Sequence, residues 1–174
     1  MGLPAAVIIG IAGGYGALQI LERMSGHSLT LAEEAYYATH PMIFRDVVNT
    51  AKTAYAQEAE FFGENSDDDE GDAFRHCYWS TLLTGKIGAK DSGFVTSLHE
   101  EIDGNPPARK EMDLWNNAIG RNQIKWYMSN QYKVVQTLKH LVEGRLKVIR
   151  PNSAKLARAK EEFAAQGQRY STDA

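Results

Sequence analysis

Three short stretches of this 174-residue chain concentrate the residue types of hydrolytic chemistry: DAFRHCYWS at 72–80, LHEEID at 98–103 and MDLWNNAIGR at 112–121. Hydrolysis needs a base or metal that makes hydroxide, a donor for the developing oxyanion and a scaffold that holds both. His76, His99, Glu100, Asp113, Asn117 and Arg121 supply those types, and Arg75 stands beside His76. The expected assignment has His76, His99 and Asp113 orienting a water, directly or as ligands of one divalent metal ion, with Glu100 taking its proton. Asn117 and Arg121, with Arg75, then stabilise the negative charge that develops.

Each of these residues also has a plain structural account. His76 reads as a hydrogen-bonded core histidine, Glu100 as a surface acid, Arg121 as a clamp on Asp113, and Asn117 as a helix-packing amide. Together they resist it, because a solvated surface favours Lys and Glu, and a core excludes such groups unless they are paired. The mixture marks either a buried polar network or a site. His99-Glu100 begins like the HExxH helix of zinc proteases, but Asp103 stands where the second His belongs. Cys77 adjoins His76, and neighbours on a helix point in different directions, so it reads as a small buried residue rather than a nucleophile. There is no G-x-S-x-G elbow and no phosphate-cradling glycine motif, which argues against a serine hydrolase and a nucleotide cofactor.

The elements that must position these groups are helices. Strand-like alternation is scarce and helical spacing recurs, so the expected fold is all-α: a single compact multi-helix domain with an apolar N-terminal helix. Thr30 suits the cap of a helix through 38, and Pro41 the first turn of one that Gly63 stops at 62. Phe44, Val48, Ala51, Tyr55 and Phe62 then share a face. Asp72 is expected to cap a helix ending near 85, followed by helices over 91–103, 108–129, 132–143 and 153–166, with an extended stretch at 146–149. On these helices Asp72, Arg75, His76 and Trp79 or Ser80 share one side. Asp113, Asn116, Asn117, Gly120 and Arg121 repeat that geometry, so 72–121 is expected to form a polar cleft. The acidic run at 64–70 reads as a solvated loop, and as a calcium loop it fails, since Glu70 stands where glycine is needed.

Composition bounds the rest. With 43% hydrophobic and 24% charged residues the chain is one globular domain, 25–174, preceded by an apolar helix over 1–24. No charge precedes Glu22, and residues 1–21 have about the length of a membrane span. Nothing basic leads that stretch, so it is not read as a cleavable signal. It is either a core helix or a membrane-seeking one, with a protein partner able to cover it, and the chain is cytoplasmic or delivered to a target membrane. Cys77 is the only cysteine, which excludes an internal disulfide and Cys-rich zinc modules. The net charge of −3 conceals a dipole, −7 over residues 1–87 and +4 over 88–174. Between 121 and 160 ten Lys or Arg face one acid, Glu143. Such a run suits phosphates, an anionic lipid surface or the acidic first half, and the acidic balance of the whole chain makes nucleic acid an unfavoured partner.

The order DAFRHCYWS, HE, MDLWNNAIGR resembles an uncharacterised bacterial helical domain family with RHxxW, HE and DxxNNxxGR motifs, often attached to secreted or toxin-like proteins. The resemblance spans about 72–121 and carries over to Arg75, His76, Trp79, His99, Glu100, Asp113, Asn116, Asn117, Gly120 and Arg121. It implies a shared polar site and a hydrolytic effector. The function expected is a small helical hydrolase of an ester or phosphodiester, with a lipid favoured because an apolar head and a basic flank suit an anionic membrane. Its rivals are a membrane-associated interaction or pore-forming protein that inserts residues 1–21, and a nuclease or nucleic-acid binder using 121–160.

Overall fold

The Thr30 hydroxyl accepts a hydrogen bond from the Glu33 backbone N–H while the Glu33 carboxylate accepts from the Thr30 N–H. This reciprocal cap starts the first helix, α1 (Leu31–Thr39), as the sequence predicts. The computed structural model describes residues 29–101 and 103–172. The expected apolar N-terminal helix lies outside these residues. Pro41 opens α2 (Pro41–Phe62) and Gly63 closes it. Its predicted apolar stripe buries Phe44, Val48 and Ala51, with Tyr55 and Phe62 half-buried beside them.

Asp69 caps α3 (Glu70–His99), in place of the expected Asp72: its carboxylate accepts from the N–H groups of Gly71 and Asp72. The helices expected on either side of residue 88 are the two arms of α3, joined at Gly88, whose φ of 83° and ψ of 163° lie outside the helical region. A side chain at that φ is strained, so glycine sets the bend. α4 (Pro107–Gln123) stops six residues short of the expected end, Ser129 instead capping α5 (Asn130–Val142), and α6 (Ser153–Thr172) completes the set. No strand occurs among the described residues, and the fold is all-α.

α3 is the central element. It packs against α2, α4 and α5, while α6 covers α5. Its first arm is buried all round, from Phe74 and Tyr78 in the apolar core to Ser80 and Thr81, which close onto α4. Ser80 donates to the Asn117 carbonyl and Thr81 to the Gly120 carbonyl. Hydroxyls that satisfy themselves on the facing backbone let the two helices sit close without stranding polar groups.

The acidic run at 64–70 departs from the solvated loop expected of it. Asp68, Asp69 and Glu70 are buried. Asp68 takes a bidentate pair of hydrogen bonds from Arg109 at 2.8 Å each, and its carbonyl accepts from the N–H groups of Ile149 and Arg150. Lys155 pairs with Asp69 at 2.8 Å, and Glu70 accepts from the Asn152 N–H. Arg109, Arg150 and Lys155 of the basic second half thus pair with acids of the first. Six of the ten bases between 121 and 160 (Lys139, Arg145, Lys147, Arg150, Lys155 and Arg158) pair with carboxylates of this chain. Among the described residues, no helix is long and apolar enough to cross a membrane.

Candidate functional site

One face of the first α3 arm carries Asp72, Arg75, His76 and Trp79 into a cavity of about 100 Å³. Glu100 enters it from the end of α3, Asn105 from the following loop, Arg109 and Asp113 from α4, and Ala51, Ala54 and Tyr55 from α2. Asp67 and the half-exposed His99, Asn105 and Arg109 mark the side nearest solvent. Of the segments within 72–121, Asp72, Arg75, His76, Trp79, His99, Glu100 and Asp113 line this one cavity.

His76 is the hub. Its Nε2 lies 3.3 Å from Asp72 Oδ1, one helical turn before it, and 3.5 Å from Asp113 Oδ1 across the α3–α4 contact. On the other side of the ring, Nδ1 faces Glu100 Oε1 at 3.8 Å. Burial alone would lower the pKa of His76, but the carboxylates of Asp113, Asp72 and Glu100 outweigh it and push it up to about 9. Asp113 is raised, by burial first, with Glu100 and Asp72 adding to it and His76 opposing. Asp72 moves the other way: burial would raise it, yet His76, Arg75 and the Asp68 N–H hold its carboxyl well below the usual range. Two aspartates on one imidazole nitrogen thus have opposite tendencies, the arrangement from which acid and base roles are assigned.

Asp72 is firmly placed. Its Oδ2 accepts from the Asp68 N–H at 2.6 Å and its Oδ1 from Arg75. Asp68 has φ 71°, a left-handed conformation that a non-glycine residue adopts at a cost. Its N–H, carbonyl and both carboxylate oxygens are all engaged, which holds it there.

Other expected site residues are committed elsewhere. Arg75 lines the cavity, but its guanidinium donates to Glu58, to the Ser66 carbonyl and to Asp72, and it sits over the Tyr55 ring at 4.6 Å. His99 also lines it, and its Nδ1 faces Glu33 Oε1 at 3.1 Å. Burial would raise the Glu33 carboxyl, but His99 and Thr30 outweigh it and hold it below its ordinary value. The potential metal donors that the structure gathers, with all atoms within 4.8 Å of one another, are Asp72, His76 and Asp113, so Asp72 takes the place expected for His99.

The second half of the α4 motif has packing tasks. Asn117 and Arg121 do not line the cavity. Asn117 is buried and its side-chain amide makes no hydrogen bond, while Arg121 lies along Gly93 and donates to Thr96 Oγ1 at 3.4 Å. Asn116 clasps the backbone of Lys147, donating to its carbonyl at 3.0 Å and accepting from its N–H at 2.9 Å. Replacing Asn116 with alanine removes both bonds and is expected to lower the unfolding free energy by about 2–3 kcal/mol. Urea melts of the two proteins measure this, and a difference below about 0.5 kcal/mol would show the clasp to be dispensable. Cys77 is fully buried, and burial pushes its thiol up to about 12, so it is no nucleophile at neutral pH.

Sequence reasoning missed Glu33, Glu58, Asn105 and Arg109. Glu33 carried a signal, the Thr30-x-x-Glu33 capping box. Four polar atoms on residues of the cavity wall have no hydrogen-bond partner: His76 Nδ1, Trp79 Nε1, Glu100 Oε1 and Asp113 Oδ1. Buried groups left in this state are uncommon, and although Asn117 and His140 Nδ1 carry others, these four gather on one cavity wall.

No curated protein and no solved structure matches the chain. Residues 34–145 match a family described as a domain of unknown function (DUF6973). The match takes in every helix that builds the cavity, together with Asp72, His76, Glu100 and Asp113, and stops short of α6. The chain belongs to the DUF6973 family.

Proposed function

We propose that this chain is a small helical hydrolase of an ester or phosphodiester whose reacting centre is His76 with Asp72, Asp113 and Glu100. One observation carries the reading: buried carboxylates flank both nitrogens of a single buried imidazole at the wall of a cavity, and three of these four residues keep a polar atom without a partner. Buried polar groups mostly find partners, and here three orphaned atoms converge on one imidazole at a cavity wall.

In this reading a water at the Nε2 edge of His76, between Asp72 and Asp113, gives up a proton to the cluster. Its oxygen bonds to the carbonyl carbon or phosphorus, the bond to the alcohol oxygen breaks, and that oxygen takes a proton back. Glu100 faces the opposite nitrogen, where its charge supports the imidazolium, a role that its position favours over taking the water's proton. The donors to the developing charge are those lining the cavity, the Trp79 indole N–H with Arg109 and Asn105, in place of Asn117 and Arg121.

The cavity opens along His99, Asn105 and Arg109, and the part of the substrate away from the reacting group lies on that side. A lipid ester is favoured by the uncharged head alone, because most of the basic flank is spent on internal ion pairs. The same pairing weakens the nucleic-acid reading. A bacterial effector setting is part of this proposal and rests on the motif resemblance.

The test is hydrolysis of 4-nitrophenyl acetate, bis(4-nitrophenyl) phosphate and phospholipid vesicles by the full chain and by His76→Ala. The parent cleaves one of them, and the variant, with its helical circular dichroism intact, loses at least about 100-fold in kcat/KM. A parent inert on all three, or a folded variant as active as the parent, would overturn the proposal.

A further inference from the structure

We propose that Asp72, His76 and Asp113 bind a divalent transition-metal cation at the Nε2 edge of the imidazole. The inference rests on the hydrolytic reading for what the cation does there, and on the geometry alone for where it sits.

Donors that share an ion at about 2.0–2.2 Å stand roughly 3–3.6 Å apart. His76 Nε2 is 3.3 Å from Asp72 Oδ1 and 3.5 Å from Asp113 Oδ1, and the three donors fall within 4.8 Å of one another. Little rearrangement separates this cluster from a coordination shell. Both aspartates are buried, 2% and 3% exposed, so their charge is not screened by bulk water.

Apart from the His76 imidazole, whose Nε2 proton a bound metal ion would replace, the nearby cations are shared with other acceptors. Arg75 divides its guanidinium among Glu58, the Ser66 carbonyl and Asp72, and Arg109 forks onto Asp68. Asp113 Oδ1 accepts no hydrogen bond, and neither does Glu100 Oε1, on a residue 2% exposed. A cation between the aspartates gives Asp113 Oδ1 its partner and offsets the charge of the group.

The surroundings have the form that metal-bound histidines require. Such a histidine presents its second ring N–H to a carboxylate that fixes the tautomer. Glu100 Oε1 stands on that side of the ring, 3.8 Å from His76 Nδ1 and so not yet hydrogen-bonded to it, and Asn105 donates to Glu100 Oε2. The remaining oxygen of Asp72 is fixed by the Asp68 N–H, which the strained Asp68 backbone presents to it. One imidazole nitrogen with two carboxylates suits a first-row ion such as Mn²⁺ or Zn²⁺ rather than Mg²⁺ or Ca²⁺, which favour oxygen throughout. Three protein ligands leave room for the water that hydrolysis consumes.

The test is calorimetric titration of the EDTA-treated, dialysed full chain with Mn²⁺ and with Zn²⁺, with Mg²⁺ for comparison. One ion of Mn²⁺ or Zn²⁺ binds per chain, and Mg²⁺ binds at least about tenfold more weakly. Asp113→Asn and His76→Gln each weaken Mn²⁺ and Zn²⁺ by at least about tenfold, Glu100→Gln weakens them by about tenfold, and His99→Gln changes neither by more than about threefold. Because zinc also adheres to stray histidines, Mn²⁺ broadening of the ring-proton resonances of His76 gives an independent readout, one that Asp113→Asn removes. Absence of stoichiometric binding, affinity unchanged in both ligand variants, or broadening at another histidine would overturn the proposal. The two readings fail separately. A cation bound without hydrolysis leaves the metal site and removes the hydrolase, whereas full hydrolysis in excess EDTA leaves the hydrolase and removes the cation.

Discussion

Arg75→Met lowers the unfolding free energy by about 3–5 kcal/mol at pH 8, the range seen when one partner of a buried ion network is removed. The side chain of Arg75 is 9% exposed and stands between Glu58, fully buried, and Asp72. It is held in its charged form, since burial would lower its pKa but the carboxylates and Tyr55 more than compensate. Methionine keeps much of the volume over the Tyr55 ring, so the loss is mainly electrostatic. Glu58 is left with the Ser66 N–H and hydroxyl as partners among those seen, at 3.0 and 3.5 Å.

The pH dependence separates this cause from a packing defect. Burial already raises the Glu58 carboxyl, with Arg75 opposing, and removing Arg75 raises it further. A carboxyl whose folded pKa lies above its unfolded value favours the fold below the unfolded pKa and loses that contribution as pH rises through the folded one. The deficit of Arg75→Met is therefore smaller at pH 4.5 than at pH 8. Denaturant melts at the two pH values measure it, and an equal deficit at both would assign the loss to packing.

How far the sequence carries to the structure depends on the range of the interaction. Thr30, Pro41 and Gly63 act within one helical turn of themselves, and each bounds a helix where the residue types predict it. The Asp72–Arg75–His76–Trp79 face is equally local, and its approach to Asp113 follows from burying two polar stripes together. Glu33 and Glu58 look like solvated acids because their partners, His99 and Arg75, lie 66 and 17 residues away. Nothing in a helical pattern announces a partner at that distance. The acidic run at 64–70 misleads for the same reason, since Arg109, Lys155 and the backbone of 149–152 reach it only after α4 and α6 have docked.

The α4 motif shows how one stripe divides between tasks. Asp113, Asn117, Gly120 and Arg121 share a helical face by spacing. α4 lies so close to α3 at Gly120 that the stripe from Asn117 onward is occupied by the contact itself. Of these four, Asp113, nearer the start of α4, reaches the cavity. Spacing places residues on a face, and the line along which two helices touch decides which of them meet a site.

That line of contact makes Gly120→Ala the harshest small substitution available. A Cβ at this position would stand 2.0 Å from the Cys77 carbonyl oxygen and 2.9 Å from Thr81 Oγ1. Exchanging glycine for alanine inside a helix gains about 1 kcal/mol of propensity, so an isolated helix would be stabilised. Here the obstacle is backbone of the facing helix, which cannot rotate away, and overpacking of this kind costs about 3 kcal/mol. The clash wins, and it opens the α3–α4 contact by about 1 Å or more, loosening the hydroxyl bonds of Ser80 and Thr81 to α4. Asp113 rides on the same helix two turns away and moves with it relative to His76. If Asp113 belongs to the reacting centre proposed above, a displacement of about 1 Å costs on the order of 100-fold in rate, so under that proposal the surviving folded fraction of Gly120→Ala loses hydrolysis as well as stability. Melts and kinetics on one preparation decide the matter. A variant that melts with the parent and keeps its activity would show that the helices separate freely there, and that the cavity does not depend on their close approach.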